Sequence, residues 1–505
     1  MAIRDDVSFQ RWRSRVSVLA SVGVVLFACG FAARAADLND EFRKYQKGEQ
    51  ESFKRFKDER DREFADFLRT QWEEFQSFRG VKRDPTPKPV VVPRPPPVVR
   101  PMPEEKAKPR KPPEPVVQLK PPPPPPPPPP AVPAVAAPKG KAATLAFYGQ
   151  SVTIYYDPSV AARLEGKPSP ESIANYWTAL GSSEYEALMQ RLRSLHTGLR
   201  LGDWPYADLV RAFSRQVHAG NENDERLLTW FLLVKSGYRA RIAYDDVRIH
   251  LFITSDQQIY GAKFLKFQGT PYYAALARDR GANLGRVFTY DKEYPGQTRN
   301  LDLRIASLQF TKPAVRSRNL KFEYGGKRYA FSIPVDSRVV EFFGAYPQTD
   351  LRQYFSAATS EDTRAALAKE MRAIVAGMSE EEALNLMLRF VQTAFAYKTD
   401  EEQFGAEKYF FVEDMLFYPY SDCEDRSVLY AWLVREILGG DVVGLSYPGH
   451  VATAVLMHRE KRGAATVDYN GKRYVVADPT YIGADLGMAM PQFARVRPEV
   501  IVTHP

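Results

Sequence analysis

From Thr144 onward the chain alternates two hydrophobic rhythms. Short stretches with apolar residues at every second position flank glycine turns, the pattern of a strand pair with one face buried. "LAFYGQSVTIYYD" at Leu145–Asp157 has it, and so has "LKFEYGGKRYAFSIPVD" at Leu320–Asp336. Longer stretches follow the helical period. "DLVRAFSRQV" at Asp208–Val217 and "NLMLRFVQTA" at Asn385–Ala394 predict amphipathic helices. "NYWTALGSSE" at Asn175–Glu184 matches "QYFSAATSED" at Gln353–Asp362, and "NDERLLTWFLLV" at Asn223–Val234 matches "CEDRSVLYAWLV" at Cys423–Val434. Four matches in one order predict an internal repeat, with copies over roughly 144–270 and 318–487. Between them, "RVFTY" and "LRIASLQF" in 285–316 read as strands that complete a sheet. The second copy carries an insertion before its cysteine, "KTDEEQFGAEKYFFVEDMLFYPYS".

Residues 38–80 follow another period. Phe42, Phe53, Phe64 and Phe75 recur every eleven residues, as do Tyr45, Phe56, Phe67 and Phe78. Eleven residues make three helical turns, so both sets fall on one stripe of a long charged helix. Such a stripe predicts a helix that self-associates or docks on a partner.

Composition separates these regions. More than half of the 40 prolines fall between Pro85 and Pro138, including the run Pro121–Pro130. Residues 81–143 thus read as a polyproline linker, able to reach about 150–200 Å when extended. The net charge of +9 is concentrated in this tract and in the first residues. It fits contact with a membrane surface or cell wall polymer better than nucleic acid. Residues 1–36 read as an export signal: Arg4, Arg11, Arg13 and Arg15 precede an apolar run from Val16 to Phe27, then Ala33-x-Ala35. Cleavage, acylation at Cys29 or retention as an anchor all place the rest outside the cytoplasm, in the periplasm or envelope. Cys423 is then left with no intramolecular disulfide partner.

Cys423 opens an apolar helix behind Ser421 and Asp422, with Gly439-Gly440 as its stop. A helix start favours thiolate. Glu424 and Asp425 oppose it, so they are expected to point into solvent or to be neutralised by Arg426. His450 opens the next strand in "YPGHVATAV", and Asp478 ends a later strand in "RYVVADPTYIG". This order can gather Cys423, His450 and Asp478 at one sheet edge. His450 would take the thiol proton, Asp478 would hold the imidazole, and helix-start amides would face an oxyanion. Single residues of these types are commonly structural; the ordered set is what points to chemistry.

On "SDCEDRSVLYAWLVREILG", "GHVATAV" and "VVADPT", over about Asn385–Gly487, the chain resembles the transglutaminase-like superfamily, a papain-like cysteine-catalysed fold. The resemblance implies an α+β chain with two modules of helices packed on antiparallel sheet, behind an N-terminal helix and the proline linker. It also implies that Cys423, His450 and Asp478 are the family's triad. Ser421 departs from the family's usual glycine, and Val451-Ala452-Thr453 from its aromatic-containing strand. The expected layout is a leader over 1–36, the aromatic helix over 38–80 and the linker over 81–143. A first module over 144–270, a connecting β segment over 271–317 and a catalytic module over 318–505 follow. The expected activity is cysteine-dependent peptidase or acyl transfer on amide bonds of envelope proteins or wall peptides. A non-catalytic binding or scaffolding protein is the alternative. No cofactor is implied, and no metal-ligand spacing occurs.

Aligned on the second copy, the first puts Asn223 where Cys423 stands, Arg226 at Arg426 and His250 at His450. Lys263 falls near the Asp478 position. An amide cannot replace a thiolate, so this copy reads as degenerate.

Overall fold

The computed structural model describes residues 31–81, 88, 94, 140–276, 285–308 and 314–503. The expected leader, up to Gly30, lies outside the described residues, as does nearly all of the linker. The chain divides into Met1–Arg62 and Glu63–Pro505. Among the described residues no helix is long and apolar enough to cross a membrane.

A helix, α1, spans Phe31–Thr70, and a strand, β1, follows at Glu73–Gln76. The helix expected over 38–80 therefore ends early. The Trp72 indole donates to the Leu68 carbonyl and Gln71 N–H donates to the Phe67 carbonyl, capping the last turn. Beyond it, β1 covers the free edge of a strand at Arg286–Thr289. The aromatic stripe is accordingly split. Phe64 is buried against Trp177, Tyr294 and Tyr290, with ring centroids 4.8, 5.3 and 5.9 Å away. Phe75, in β1, packs on Phe267, and Phe78, in an isolated bridge with Phe264, stacks on that ring; neither lies in a helix. Phe56 is exposed. The side chains of Phe42, Tyr45 and Phe53 lie outside the described residues.

The remainder is a mixed α/β structure of helices and antiparallel sheets. In chain order come β2 (Lys141–Phe147), β3 (Gln150–Tyr156), α2 (Pro170–Gly181), α3 (Tyr185–Gly198), α4 (Asp203–Val217) and α5 (Glu222–Lys235). Then follow β4 (Ala240–Tyr244), β5 (Ile249–Ile253), β6 (Phe264–Phe267), β7 (Thr270–Tyr273) and β8 (Arg286–Thr289). The next stretch holds β9 (Val315–Tyr324), β10 (Lys327–Asp336), α6 (Ser337–Ala345), α7 (Leu351–Ser356), α8 (Glu361–Val375) and α9 (Glu380–Ala394). After it come β11 (Ala396–Tyr397), α10 (Asp400–Phe404), α11 (Val412–Phe417), β12 (Tyr420–Ser421) and α12 (Cys423–Leu438). The chain closes with β13 (Val442–Tyr447), β14 (His450–Leu456), β15 (Thr466–Tyr469), β16 (Lys472–Ala477) and β17 (Glu499–Val502).

The two large sheets have corresponding strand orders. One runs β8-β4-β5-β7-β6 with β1 added at its edge; the other runs β17-β13-β14-β16-β15. Every pairing in both is antiparallel. Strands β4 and β13 each follow directly on a buried helix, α5 or α12, and a hairpin, β2–β3 or β9–β10, lies upstream of each helix. "RVFTY" thus joins the first sheet as β8, whereas "LRIASLQF" forms no strand as far as Leu308. The β7 and β8 strands belong to the first sheet, so that sheet extends past residue 270 into the stretch expected to connect the modules.

Helix α12 is buried on nearly every face, from Cys423 through Val434. It packs on β13 and β14 and is flanked by α9 and α11. An all-round buried helix shows little amphipathic pattern, which explains its near-continuous apolar sequence. It stops at Gly439, whose φ of 61° lets its N–H reach the Arg435 carbonyl.

Candidate active site

The β13–β14 hairpin turns in two residues, because Tyr447 pairs directly with His450. Pro448 suits the first turn position, and Gly449 takes the positive φ of 69° required at the second. This fixes His450 at the head of β14, beside the start of α12. The Ser427 hydroxyl joins the two elements, lying 2.8 Å from the Cys423 carbonyl and 3.0 Å from the Val451 carbonyl.

His450 Nε2 lies 2.8 Å from Asp478 Oδ2, and both side chains are buried. Asp478 Oδ1 accepts from the Thr480 and Tyr481 amides at 2.9 and 3.2 Å. "DPTY" therefore closes an Asx-type turn that aims the other oxygen at the imidazole. Gln392 on α9 locks this loop: Nε2 donates to the Asp478, Tyr481 and Ala484 carbonyls, and Oε1 accepts from Gly483 N–H. The Phe493 ring stacks on His450 at 5.0 Å between centroids and 9° between planes. His450 Nδ1 has no hydrogen-bond partner among the described residues. A ring with Nε2–H on a carboxylate keeps Nδ1 as its proton acceptor.

Cys423 stands at the first position of α12 and is fully buried. Its sulfur donates to Glu424 Oε2 at 3.2 Å, and no hydrogen bond joins it to His450. Burial, then the Glu424 charge, pushes the thiol well above its ordinary value; Lys88 and the Val451 backbone act in the opposite direction. The structure thus brings His450 and Asp478 into direct contact and sets Cys423 at the adjoining helix start, with its thiol proton held by Glu424.

Glu424 and Asp425 do not point into solvent, and Arg426 is not their counter-ion. Both carboxylates are buried. Arg426 donates to Ser421 Oγ and to the Gln392 and Phe395 carbonyls, pinning the end of α9 to the start of α12. Asp425 accepts from the Phe410 and Asp422 amides at 2.9 and 3.2 Å. Glu424 is neutralised by Lys88, a residue of the proline-rich segment. Burial works against the Glu424 charge, but Lys88 overrides it and holds the carboxyl at about 2.

The Lys88 ammonium also lies 2.6 Å from Glu407 Oε1, 3.0 Å from Asp422 Oδ2 and 3.8 Å from Asp400 Oδ2. Burial and the Glu424 charge raise Asp400 to about 8 and Glu407 to about 7. The Tyr397 hydroxyl, with no partner among the described residues, is pushed up by burial and by the charges of Cys423, Asp422 and Glu424. Asp400, Glu407 and Glu424 offer oxygens within 4.8 Å of one another, as do Asp400, Asp422 and Asp425. Such oxygen sets can hold a hard divalent cation; the Lys88 ammonium lies among the same oxygens. Sequence reasoning missed Lys88, Tyr397, Asp400 and Glu407. The last three belong to or adjoin the insertion it had marked, whereas nothing local to Lys88 signals its contact.

The first copy repeats part of this arrangement. His250 Nε2 lies 2.9 Å from Asp245 Oδ2, and His250 Nδ1 lacks a partner among the described residues. Its carboxylate comes from the β4–β5 turn, where Asp245 Oδ1 accepts from the Val247 and Arg248 amides, and not from the Lys263 position. Asn223 staples α5 to that hairpin: Oδ1 accepts from Ile249 N–H at 2.9 Å and Nδ2 donates to the Val247 carbonyl at 3.0 Å. The amide is used up as a structural clamp where the second copy has a thiol.

No protein-family model, curated protein or solved structure matches the chain.

Proposed function

We propose that the chain is an exported cysteine-dependent peptidase or acyl transferase acting on amide bonds of envelope proteins or wall peptides. On this reading it consists of two transglutaminase-like modules, the first degenerate and the second bearing Cys423, His450 and Asp478. The observation that carries it is the His450–Asp478 pair, 2.8 Å apart, with Nδ1 unpartnered beside the helix that Cys423 opens. Cys423 is the nucleophile, His450 Nδ1 the proton acceptor and then donor to the leaving group, and Asp478 the group that orients the ring. The shared strand order of the two sheets supports the duplication. The test is covalent capture of an activated peptide acyl probe by the full chain, mapped by mass spectrometry. Adduct at Cys423 that disappears in His450→Ala supports the assignment. Equal capture in His450→Ala, or adduct elsewhere, defeats it.

One observation favours a second reading, a binding or scaffolding protein. The Cys423 thiol is buried and hydrogen-bonded to Glu424 instead of His450. Capture of no probe under conditions that admit a lysine-bearing peptide to the site would decide for it.

A further inference from the structure

Lys88 belongs to the proline-rich segment, yet its side chain is only 8% exposed and its ammonium lies in a pocket built by the second module. The pocket's carboxylates come from separate places. Asp400 opens α10, Glu407 follows that helix, Asp422 precedes α12 and Glu424 lies in its first turn. Three oxygens, from Glu407, Asp422 and Glu424, lie within hydrogen-bond distance of one nitrogen. That number matches the three N–H donors of a primary ammonium, whereas a guanidinium presents a flat fork. The Tyr409 ring, 5.6 Å from the nitrogen, adds an aromatic wall. Asp422 is fully buried, and its second oxygen meets no donor among the described residues. Without a cation, the three buried carboxylates of Asp400, Asp422 and Glu424 would be expelled or protonated. The module's own fold supplies no other cation at hydrogen-bond distance from these oxygens among the described residues.

The pocket touches the proposed nucleophile. Glu424 places one oxygen on the Lys88 ammonium and the other 3.2 Å from the Cys423 sulfur. Glu424 thereby places the ammonium of any occupant one side chain away from the proposed nucleophile.

We propose that the Asp400–Glu407–Asp422–Glu424 pocket is a recognition subsite for a primary ammonium on a peptide, filled in the resting protein by Lys88. Its place as a subsite of the Cys423 site rests on the reading of Cys423 as a nucleophile; ammonium binding stands independently. The peptide class is one carrying a lysine-type side chain between prolines, because Pro87 and Pro89 flank Lys88 in the sequence. It competes with Lys88 for the same oxygens.

The probes are a peptide with the sequence of residues 85–91, PTPKPVV, and the same peptide with norleucine for lysine. Lysine acetylation footprinting of the native full chain comes first. Lys88 is expected to react about tenfold or more slowly than Lys108, Lys111 and Lys120, and excess lysine peptide should remove this protection. In Lys88→Gln the lysine peptide should bind about tenfold or more tightly than to wild type, and about tenfold or more tightly than the norleucine peptide. Should Lys88→Gln fail to fold, Glu407→Gln provides the second route, with Lys88 acetylation rising toward that of the other linker lysines. Lys88 as reactive as its neighbours in the wild type, or equal binding of both peptides, overturns the pocket. These readouts need no catalysis, so loss of acyl capture with retained lysine-selective binding refutes the nucleophile and leaves the subsite standing.

Discussion

Glu424 is the most informative residue to change, because it links the thiol to everything around it. Glu424→Gln keeps the shape and removes the charge. The carboxylate oxygen lies 3.2 Å from the Cys423 sulfur. At an effective dielectric of about 20, a unit charge at that distance disfavours the thiolate by about 5 kcal/mol. Lys88 partly offsets this in the native protein, and its charge remains in the variant, still paired with Asp422 and Glu407. The thiolate midpoint should therefore fall below that of wild type. The assay is the pH dependence of iodoacetamide labelling of the folded full chain, with thiolate absorbance as a second probe. Access to a buried sulfur scales all rates alike, so the midpoint is read and not the absolute rate. Wild type should show a midpoint above that of an ordinary cysteine thiol. A variant midpoint equal to or above that of wild type would refute the assignment of Glu424 as holder of the thiol proton.

Other substitutions probe the remaining parts of the argument. Asp478→Asn keeps the backbone-held turn but cannot anchor the Nε2–H as a carboxylate does, so acyl capture should fall by about a hundredfold or more with little change in unfolding midpoint. Asp414 is pushed up to about 8 by burial, so the folded state retains its proton; its stabilisation is full below about pH 4 and is lost as pH rises through about 8. Asp414→Asn should thus flatten the decline in chemical stability between about pH 5 and 9, and an unchanged slope would count against it. Phe64→Ala removes a ring packed on Trp177, Tyr290 and Tyr294 and should cost about 3–5 kcal/mol in denaturant unfolding. A loss under about 1 kcal/mol would mean that the end of α1 is not part of the core.

What could be read in the sequence was whatever is encoded locally. The hairpins over Leu145–Asp157 and Leu320–Asp336 show the period of two, and Asp422 with Gly439 marks the ends of α12. The His450–Asp478 contact was also accessible, since a hairpin register and an Asx-type turn fix both residues. The end of α1 was not. Its aromatic period continues unbroken to Phe78, and only the free edge of β8, more than 200 residues on, draws residues 73–76 into a sheet. The burial of Glu424 was equally hidden. A carboxylate beside a helix-start thiol should face water unless a cation joins it, and the cation comes from a residue 336 positions earlier.

The insertion between β11 and α12 ties these points together. It supplies Asp400 and Glu407, and a parallel pairing of β11 with β12 seats it beside the start of α12. The stretch before Asn223 holds nothing comparable, and Asn223 itself is spent on clamping a hairpin. A histidine held by a carboxylate, with its other nitrogen free, occurs beside both large sheets and therefore cannot by itself identify a catalytic site. The second copy alone adds a thiol, and with it an acidic pocket and a cation to fill it. Burying that many carboxylates serves no packing purpose, since apolar residues of similar volume would commonly be as stable or more so. Asp422 and Glu424 flank the only described cysteine, as the proposed ammonium subsite beside Cys423 requires.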